Sequence, residues 1–190
     1  MEYIFMLIGA VLVNNVILAQ FLGICPFLGV SNRVSTAAGM GTAVIFVMTL
    51  STLVTSLLNN YVLVPLEIVF LQTISFILII AALVQMLEII LKKTSPVLYQ
   101  ALGVYLPLIT TNCAILGVAI SVTQKDFTLI DSTLYSIFTA IGFALAIIIF
   151  AGIREDLELT NIPKSMQGVP ISLITAGILA MAFMGFANLV

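Results

Sequence analysis

Cys25-Pro26-Phe27-Leu28-Gly29-Val30 returns 88 residues later as Cys113-Ala114-Ile115-Leu116-Gly117-Val118, both in the pattern C-x-x-L-G-V, and the chain has no other cysteine. Each copy follows polar residues that stand out in apolar surroundings: Asn14 and Asn15 before the first, Thr110, Thr111 and Asn112 before the second. Farther along, Val64-Pro65-Leu66 opens one apolar stretch much as Val169-Pro170-Ile171 opens another. Such self-similarity divides the 190 residues into two halves, about 1–93 and 94–190, within a single membrane domain.

The solvent of this domain follows from composition. The chain is 62% hydrophobic and 7% charged, whereas about a quarter of a soluble domain is charged, so lipid must cover most of its surface. A net charge of -2 argues against a nucleic-acid partner. The lack of any His removes the commonest general base and metal ligand, and the two thiols become the principal chemical groups.

A membrane helix needs about 20 mostly apolar residues. Six stretches qualify: Tyr3 to Leu22, Ala37 to Leu58, Ile68 to Leu91, Val97 to Ser121, Asp131 to Ile153 and Val169 to Val190. The expected fold is therefore an all-α integral membrane protein of six transmembrane helices. The first stretch is long and lacks a small-residue cleavage site, so it reads as a retained helix. Arg33, Lys92, Lys93, Arg154 and Lys164 fall on one side of this arrangement and only Lys125 on the other. Positive links stay cytoplasmic, which predicts that both termini face outward.

Three helices per half is an odd number, so the second half must enter the membrane from the opposite side. The halves then form inverted three-helix repeats about a pseudo-twofold axis in the membrane plane. Equivalent residues such as Cys25 and Cys113 can meet across that axis only near the midplane. A straight helix from Tyr3, rising ~1.5 Å per residue, would instead carry Cys25 to the cytoplasmic face. The segments are therefore expected to break around the Cys loops, with Gly23, Pro26 and Gly29 as breakers in the first and Gly103, Pro107 and Gly117 in the second. Non-helical backbone at that depth must be buried in protein or line a cavity, and Asn14, Asn15, Thr110, Thr111 and Asn112 would supply partners for its freed polar groups.

Three roles fit the two cysteines. They could be small apolar packing residues, a disulfide, or thiolate ligands. As ligands they would make half the set of a 2Fe-2S cluster, which takes four. The other two would come from a partner with the same paired loops or from a second copy of the chain.

The residues also carry a resemblance. Leu12-Val13-Asn14-Asn15 with Phe21-Leu22-Gly23-Ile24-Cys25-Pro26-Phe27-Leu28-Gly29-Val30-Ser31, and Lys93-Thr94-Ser95-Pro96-Val97-Leu98-Tyr99 through Leu106-Pro107-Leu108-Ile109-Thr110-Thr111-Asn112-Cys113-Ala114, resemble the Rnf/Nqr membrane-subunit family. Ala151-Gly152-Ile153-Arg154-Glu155, Leu173-Ile174-Thr175-Ala176-Gly177 and Ala182-Phe183-Met184-Gly185-Phe186 fit the same family, so the similarity covers essentially the whole chain. The Asn14-Asn15 pair and the Cys25-Pro26-Phe27 run are more similar to the Rnf branch than to Nqr.

The resemblance implies a multi-pass subunit of a redox enzyme complex in the bacterial inner membrane, an ion-translocating (Na+ or H+) ferredoxin:NAD oxidoreductase. It implies that Cys25 and Cys113 hold an intramembrane 2Fe-2S cluster together with two cysteines of a homologous inverted subunit (RnfE-like). Further Rnf subunits carrying FMN and iron-sulfur clusters would exchange electrons with it, and NAD chemistry would occur on another subunit.

Several other residues admit a functional or a bland reading. Glu88 falls inside the third stretch and is a possible ion-path group, although Lys92 one turn later offers it a pair at the cytoplasmic edge. Arg154, Glu155 and Asp156 read as a solvated loop end or subunit contact, Met181 and Met184 as core filling, and Gly39 and Gly41 with Ala37 and Ala38 as a close helix contact. The rival function is a small secondary transporter, with Asn14, Asn15, Thr111 and Asn112 at a midplane solute site and incidental cysteines. A scaffold protein with neither cluster nor substrate is the third alternative.

Overall fold

The computed structural model describes residues 2–65, 69–94, 106–160, 163 and 165–186, and all regular structure among them is helical. Helix α1 (Glu2–Ile8) runs into a π-helical turn (Gly9–Val13) and stops. After an irregular passage comes the short α2 (Ile24–Gly29), then α3 (Val34–Leu58), which a second π turn (Asn59–Leu63) prolongs. A 3-10 turn (Val69–Leu71) leads into α4 (Gln72–Thr94). The second half holds α5 (Leu106–Thr110), α6 (Cys113–Gln124), α7 (Leu129–Glu158) and α8 (Val169–Met184).

Among the described residues, four helical stretches are long and apolar enough to cross a membrane: Val34–Leu63, Gln72–Ile90, Pro107–Gln124 and Leu129–Glu158. The first and last of the six expected spans are shorter apolar helices, Tyr3–Val13 and Val169–Met184. Parts of three expected spans, residue 68, residues 97–105 and residues 187–190, lie outside the described residues, as does Gly103.

Long helices α3 and α7 form the centre and run antiparallel: Val34 at the start of α3 donates its N–H to Glu155 near the end of α7, while Gly41 faces Ala144. Their buried residues recur three or four apart, as core stripes of helices do: Ala37, Met40, Val44 and Val47 on α3, and Ala140, Phe143, Ala146, Ile147, Phe150 and Ala151 on α7. A Cβ on Gly41 would lie 2.9 Å from the Ala144 Cβ, so that glycine does permit a close helix contact. Gly39 borders open space and does not. Toward the opposite end both stripes turn to hydroxyls, with Ser51, Thr52, Thr55 and Ser56 on α3 and Ser132, Ser136 and Thr139 on α7 all buried. Thr55, Ser136 and Thr139 bond a carbonyl in their own helix, as Thr139 does to Tyr135 at 2.8 Å, and Ser132 bonds the N-cap carbonyl of Thr128, which makes them tolerable away from water, whereas the Ser51 and Thr52 hydroxyls have no partner among the described residues.

Local chemistry explains the boundaries that differ from expectation. Helix α7 begins two residues before Asp131 because Thr128 is its N-cap: the Thr128 Oγ1 accepts the Asp131 N–H and donates to the Asp131 carboxylate. It also continues past Ile153, so Arg154, Glu155, Asp156 and Glu158 lie on the helix itself. Many large apolar side chains point outward, among them Ile74, Leu78, Met86 and Ile89 on α4 and Ile178 on α8. That surface suits lipid or neighbouring subunits and would be a liability in water. Met181 and Met184 are exposed as well, 66% and 74%, so they do not fill the core.

Candidate metal centre

Both expected breaks exist, and each ends at a helix whose first turn carries a cysteine. In the first, the π turn closes with the Asn14 N–H donating to the Gly9 carbonyl. Asn15, fully buried, then serves two backbone groups beside the break and one on α7. Its Nδ2 donates to the carbonyls of Val11 (3.0 Å) and Gly142 (2.8 Å), and its Oδ1 accepts the Ile17 N–H (3.1 Å). The chain next turns sharply through two left-handed residues, Phe21 (φ 55°) and Gly23 (φ 83°), and α2 starts. Cys25 is thus in the first turn of a helix, not in a loop.

The second break is briefer. Thr111 bonds back to the Pro107 carbonyl through its N–H (3.0 Å) and Oγ1 (2.8 Å), and Asn112 is extended (φ -72°, ψ 110°). The Asn112 Oδ1 accepts the Ala114 N–H at 3.0 Å, an N-cap that starts α6 at Cys113.

These two breaks meet. The Gly23 N–H donates to the Cys113 Sγ at 2.9 Å, so the sulfur of one motif sits at the start of the helix that bears the other cysteine. The approach has no room for a side chain at Gly23: a Cβ there would lie 2.8 Å from the Phe143 ring and 3.2 Å from both the Ala114 Cβ and the Asn112 Oδ1. Gly117 belongs to the same contact, because its Cβ would come within 2.9 Å of Leu22. It lies inside continuous α6 and breaks nothing, a correction to the expected role. Pro26 is likewise no breaker: it occupies the first turn of α2, where its missing N–H costs no helical bond. Gly29 ends α2 opposite Leu108, and Pro107 lies in the first turn of α5.

Both thiols are free and exposed on the chain surface. Among the described residues no group of three or more His, Cys, Asp or Glu is placed to hold a metal ion. The chain therefore offers two cysteine sulfurs from adjoining helix starts and, among those residues, no third ligand of these types. One sulfur, that of Cys113, already accepts a backbone N–H bond. Beside it, the Asn112 Nδ2 is buried with no acceptor among the described residues. Thiolates bordered by such donors fit an anionic iron-sulfur group, whose sulfides accept hydrogen bonds.

Thr110 ends α5 half-buried. Asn14 is exposed and lines, with Asn15, Phe21, Met181 and Met184, a cavity of about 620 Å³ that includes neither Thr111 nor Asn112. Glu88 is half-buried on α4, one turn before Lys92. Sequence reasoning missed the role of Arg154, whose Nη1 donates to the Leu28 carbonyl (2.8 Å) and the Ser31 hydroxyl (2.7 Å) at the end of the Cys25 helix.

Asn15 gives a direct check on the first break. Asn15→Ala leaves the Val11 and Gly142 carbonyls and the Ile17 N–H without it, and burial prevents water from replacing all three. A loss of about 3 kcal/mol is expected, since each orphaned buried group costs ~1–3 kcal/mol. Thermal unfolding of the purified protein in detergent measures it.

The profile of a family described as Rnf-Nqr subunit, membrane protein, matches residues 3–190. The A subunit of the Na(+)-translocating ferredoxin:NAD(+) oxidoreductase complex of Acetobacterium woodii is 57% identical over 189 residues, covering 100% of this chain and 98% of that protein. The A subunit of the ion-translocating oxidoreductase complex of Syntrophotalea carbinolica is 58% identical over 97% of this chain and 95% of its own length, and that of Pseudoalteromonas translucida is 51% identical over 100% and 98%. With matches across its whole length to membrane subunits of redox enzyme complexes, this chain belongs to the Rnf-Nqr family.

Proposed function

We propose that this chain is the A subunit of an ion-translocating ferredoxin:NAD+ oxidoreductase and that Cys25 and Cys113 supply two of the four ligands of an intramembrane 2Fe-2S cluster. The observation that carries this reading is the Gly23 N–H to Cys113 Sγ bond, which joins the two cysteine motifs at one place. The remaining ligands come from a homologous subunit with the same motifs, and other subunits bearing FMN and iron-sulfur clusters pass and receive the electrons. When bound, the cluster supplies one-electron transfer within the membrane. This chain's part is to present two thiolates at fixed positions, to donate hydrogen bonds toward sulfur, and to keep water out with the apolar packing of Phe27, Phe143 and Phe150. None of that requires an acid or base, which suits a chain without His.

The same reading takes the chain as two inverted three-helix repeats in the inner membrane with both termini outward. The order of elements supports it. In each half a short helix, a break and a cysteine-bearing helix precede a 30-residue helical stretch, Val34–Leu63 or Leu129–Glu158, and those two stretches run antiparallel as inversion requires. A transporter site built from Asn14, Asn15, Thr111 and Asn112 is less well supported, because the cavity at Asn14 and Asn15 excludes the other two.

Iron analysis of the purified complex tests the proposal. A Cys25→Ser, Cys113→Ser double variant is expected to hold about two fewer iron atoms per complex than wild type, the content of one such cluster. Equal iron in both would refute it.

A further inference from the structure

The two cysteines are supported in different ways. Cys113 starts a helix of twelve residues that has its own N-cap, Asn112. Cys25 lies on a helix of six residues, and so short a helix is not stable alone because nucleation is unfavourable. Its position has to be set by neighbours, and α7 provides them. Phe27 stacks on Phe150 with ring centroids 4.2 Å apart and planes 16° from parallel. One turn further along α7, the Arg154 Nη1 donates to the Leu28 carbonyl at 2.8 Å and to the fully buried Ser31 hydroxyl at 2.7 Å. The Leu28 carbonyl is among those that a helix C-terminus leaves without an internal partner. Next to it, the Glu155 Oε1 accepts the N–H of Val34, the first residue of α3, whose N-cap Arg33 makes no side-chain bond there. A single turn of α7 thus fastens both sides of the connection from the Cys25 helix to α3. Among the described residues the Arg154 side chain donates hydrogen bonds to residues 28 and 31 and none to α6.

We propose that Arg154 is a positioning residue for Cys25: it holds α2, and with it the Cys25 sulfur, in the geometry the shared cluster needs, while Cys113 is positioned independently of it. The inference rests on the cluster reading above, but the clamp itself can be read without the cluster.

Hydrogen-deuterium exchange of the purified complex and electron paramagnetic resonance of its reduced form together test it, on Arg154→Gln and Arg154→Lys. In Arg154→Gln, exchange over residues 24–31 is expected to rise at least about tenfold, the factor set by losing even one of the two charge-assisted hydrogen bonds, with residues 113–124 unchanged. The g-values of the 2Fe-2S signal are expected to shift at unchanged iron content. Arg154→Lys keeps a cationic donor and should fall between the glutamine variant and wild type; if Arg154→Gln does not assemble, the lysine variant carries the same two readouts with smaller changes. Exchange that stays at the wild-type level over 24–31, or rises equally in α6, overturns the clamp. Increased exchange with unmoved g-values overturns the positioning of Cys25. The exchange arm stands even if the cysteine variants keep their iron, so failure of the clamp and failure of the cluster reading are separately visible.

Discussion

Gly23→Ala is expected to force apart the two breaks and lower the stability of the protein by on the order of 3 kcal/mol, the sum of two effects. An alanine at φ 83° costs roughly 1–2 kcal/mol because its Cβ crowds the carbonyl. The new methyl also enters a contact that is already full, 2.8 Å from the Phe143 ring, and Phe143 is entirely buried between α7 and its neighbours. Overpacking of that kind adds about 1–3 kcal/mol. Because relief requires Gly23 to move from Asn112 and Ala114, its N–H should also part from the Cys113 Sγ. Thermal unfolding in detergent reads the first effect and iron content the second. Gly177→Ala is the control: φ is ordinary and no atom lies within 4 Å of the added carbon, so stability should hold or rise slightly. Equal melting of the two variants would show that the contact between the breaks carries no weight.

Cys25→Ser and Cys113→Ser are each expected to lower ferredoxin-dependent NAD+ reduction by the assembled complex more than about a hundredfold, since even groups supporting metal ligands change function roughly 10- to 100-fold. Serine at 113 still accepts the Gly23 N–H, so the protein should fold and assemble. The double variant should be no worse than either single one, because two ligands of one cluster act as a unit. NAD+ reduction measured in membrane vesicles, with complex assembly checked by co-purification, decides this. Additive partial losses would point instead to two independent structural cysteines.

Much of this architecture is legible in the sequence because lipid imposes simple rules. A run of apolar residues long enough to span, such as Leu134 to Ile153, has few alternatives to a helix when every backbone group must be satisfied internally. The breaks could be located because Asn14, Asn15, Thr111 and Asn112 are costly in lipid unless they bond freed backbone, and Asn15 and Asn112 do so. What could not be read was how each breaker acts. Gly23, Pro26, Gly29, Pro107 and Gly117 are all residues that end helices, yet of these Gly23 alone takes a left-handed conformation. Gly117 is there for Leu22, a residue 95 positions away, and local pattern holds no trace of such a partner. Arg154 was obscured for the same reason. Beside Glu155 and Asp156 it looks like solvated helix end, and only the fold brings Leu28 and Ser31 within its reach. The placement of both cysteines on helix starts was likewise set by Gly23 and Asn112 just before them, whose capping role depends on where the preceding helix stops.

Electron paramagnetic resonance of the dithionite-reduced complex tests most directly whether this chain holds half of a redox centre. The account predicts a 2Fe-2S signal in wild type that disappears in Cys25→Ser and in Cys113→Ser while signals of the other subunits persist. A full signal in both variants would contradict it.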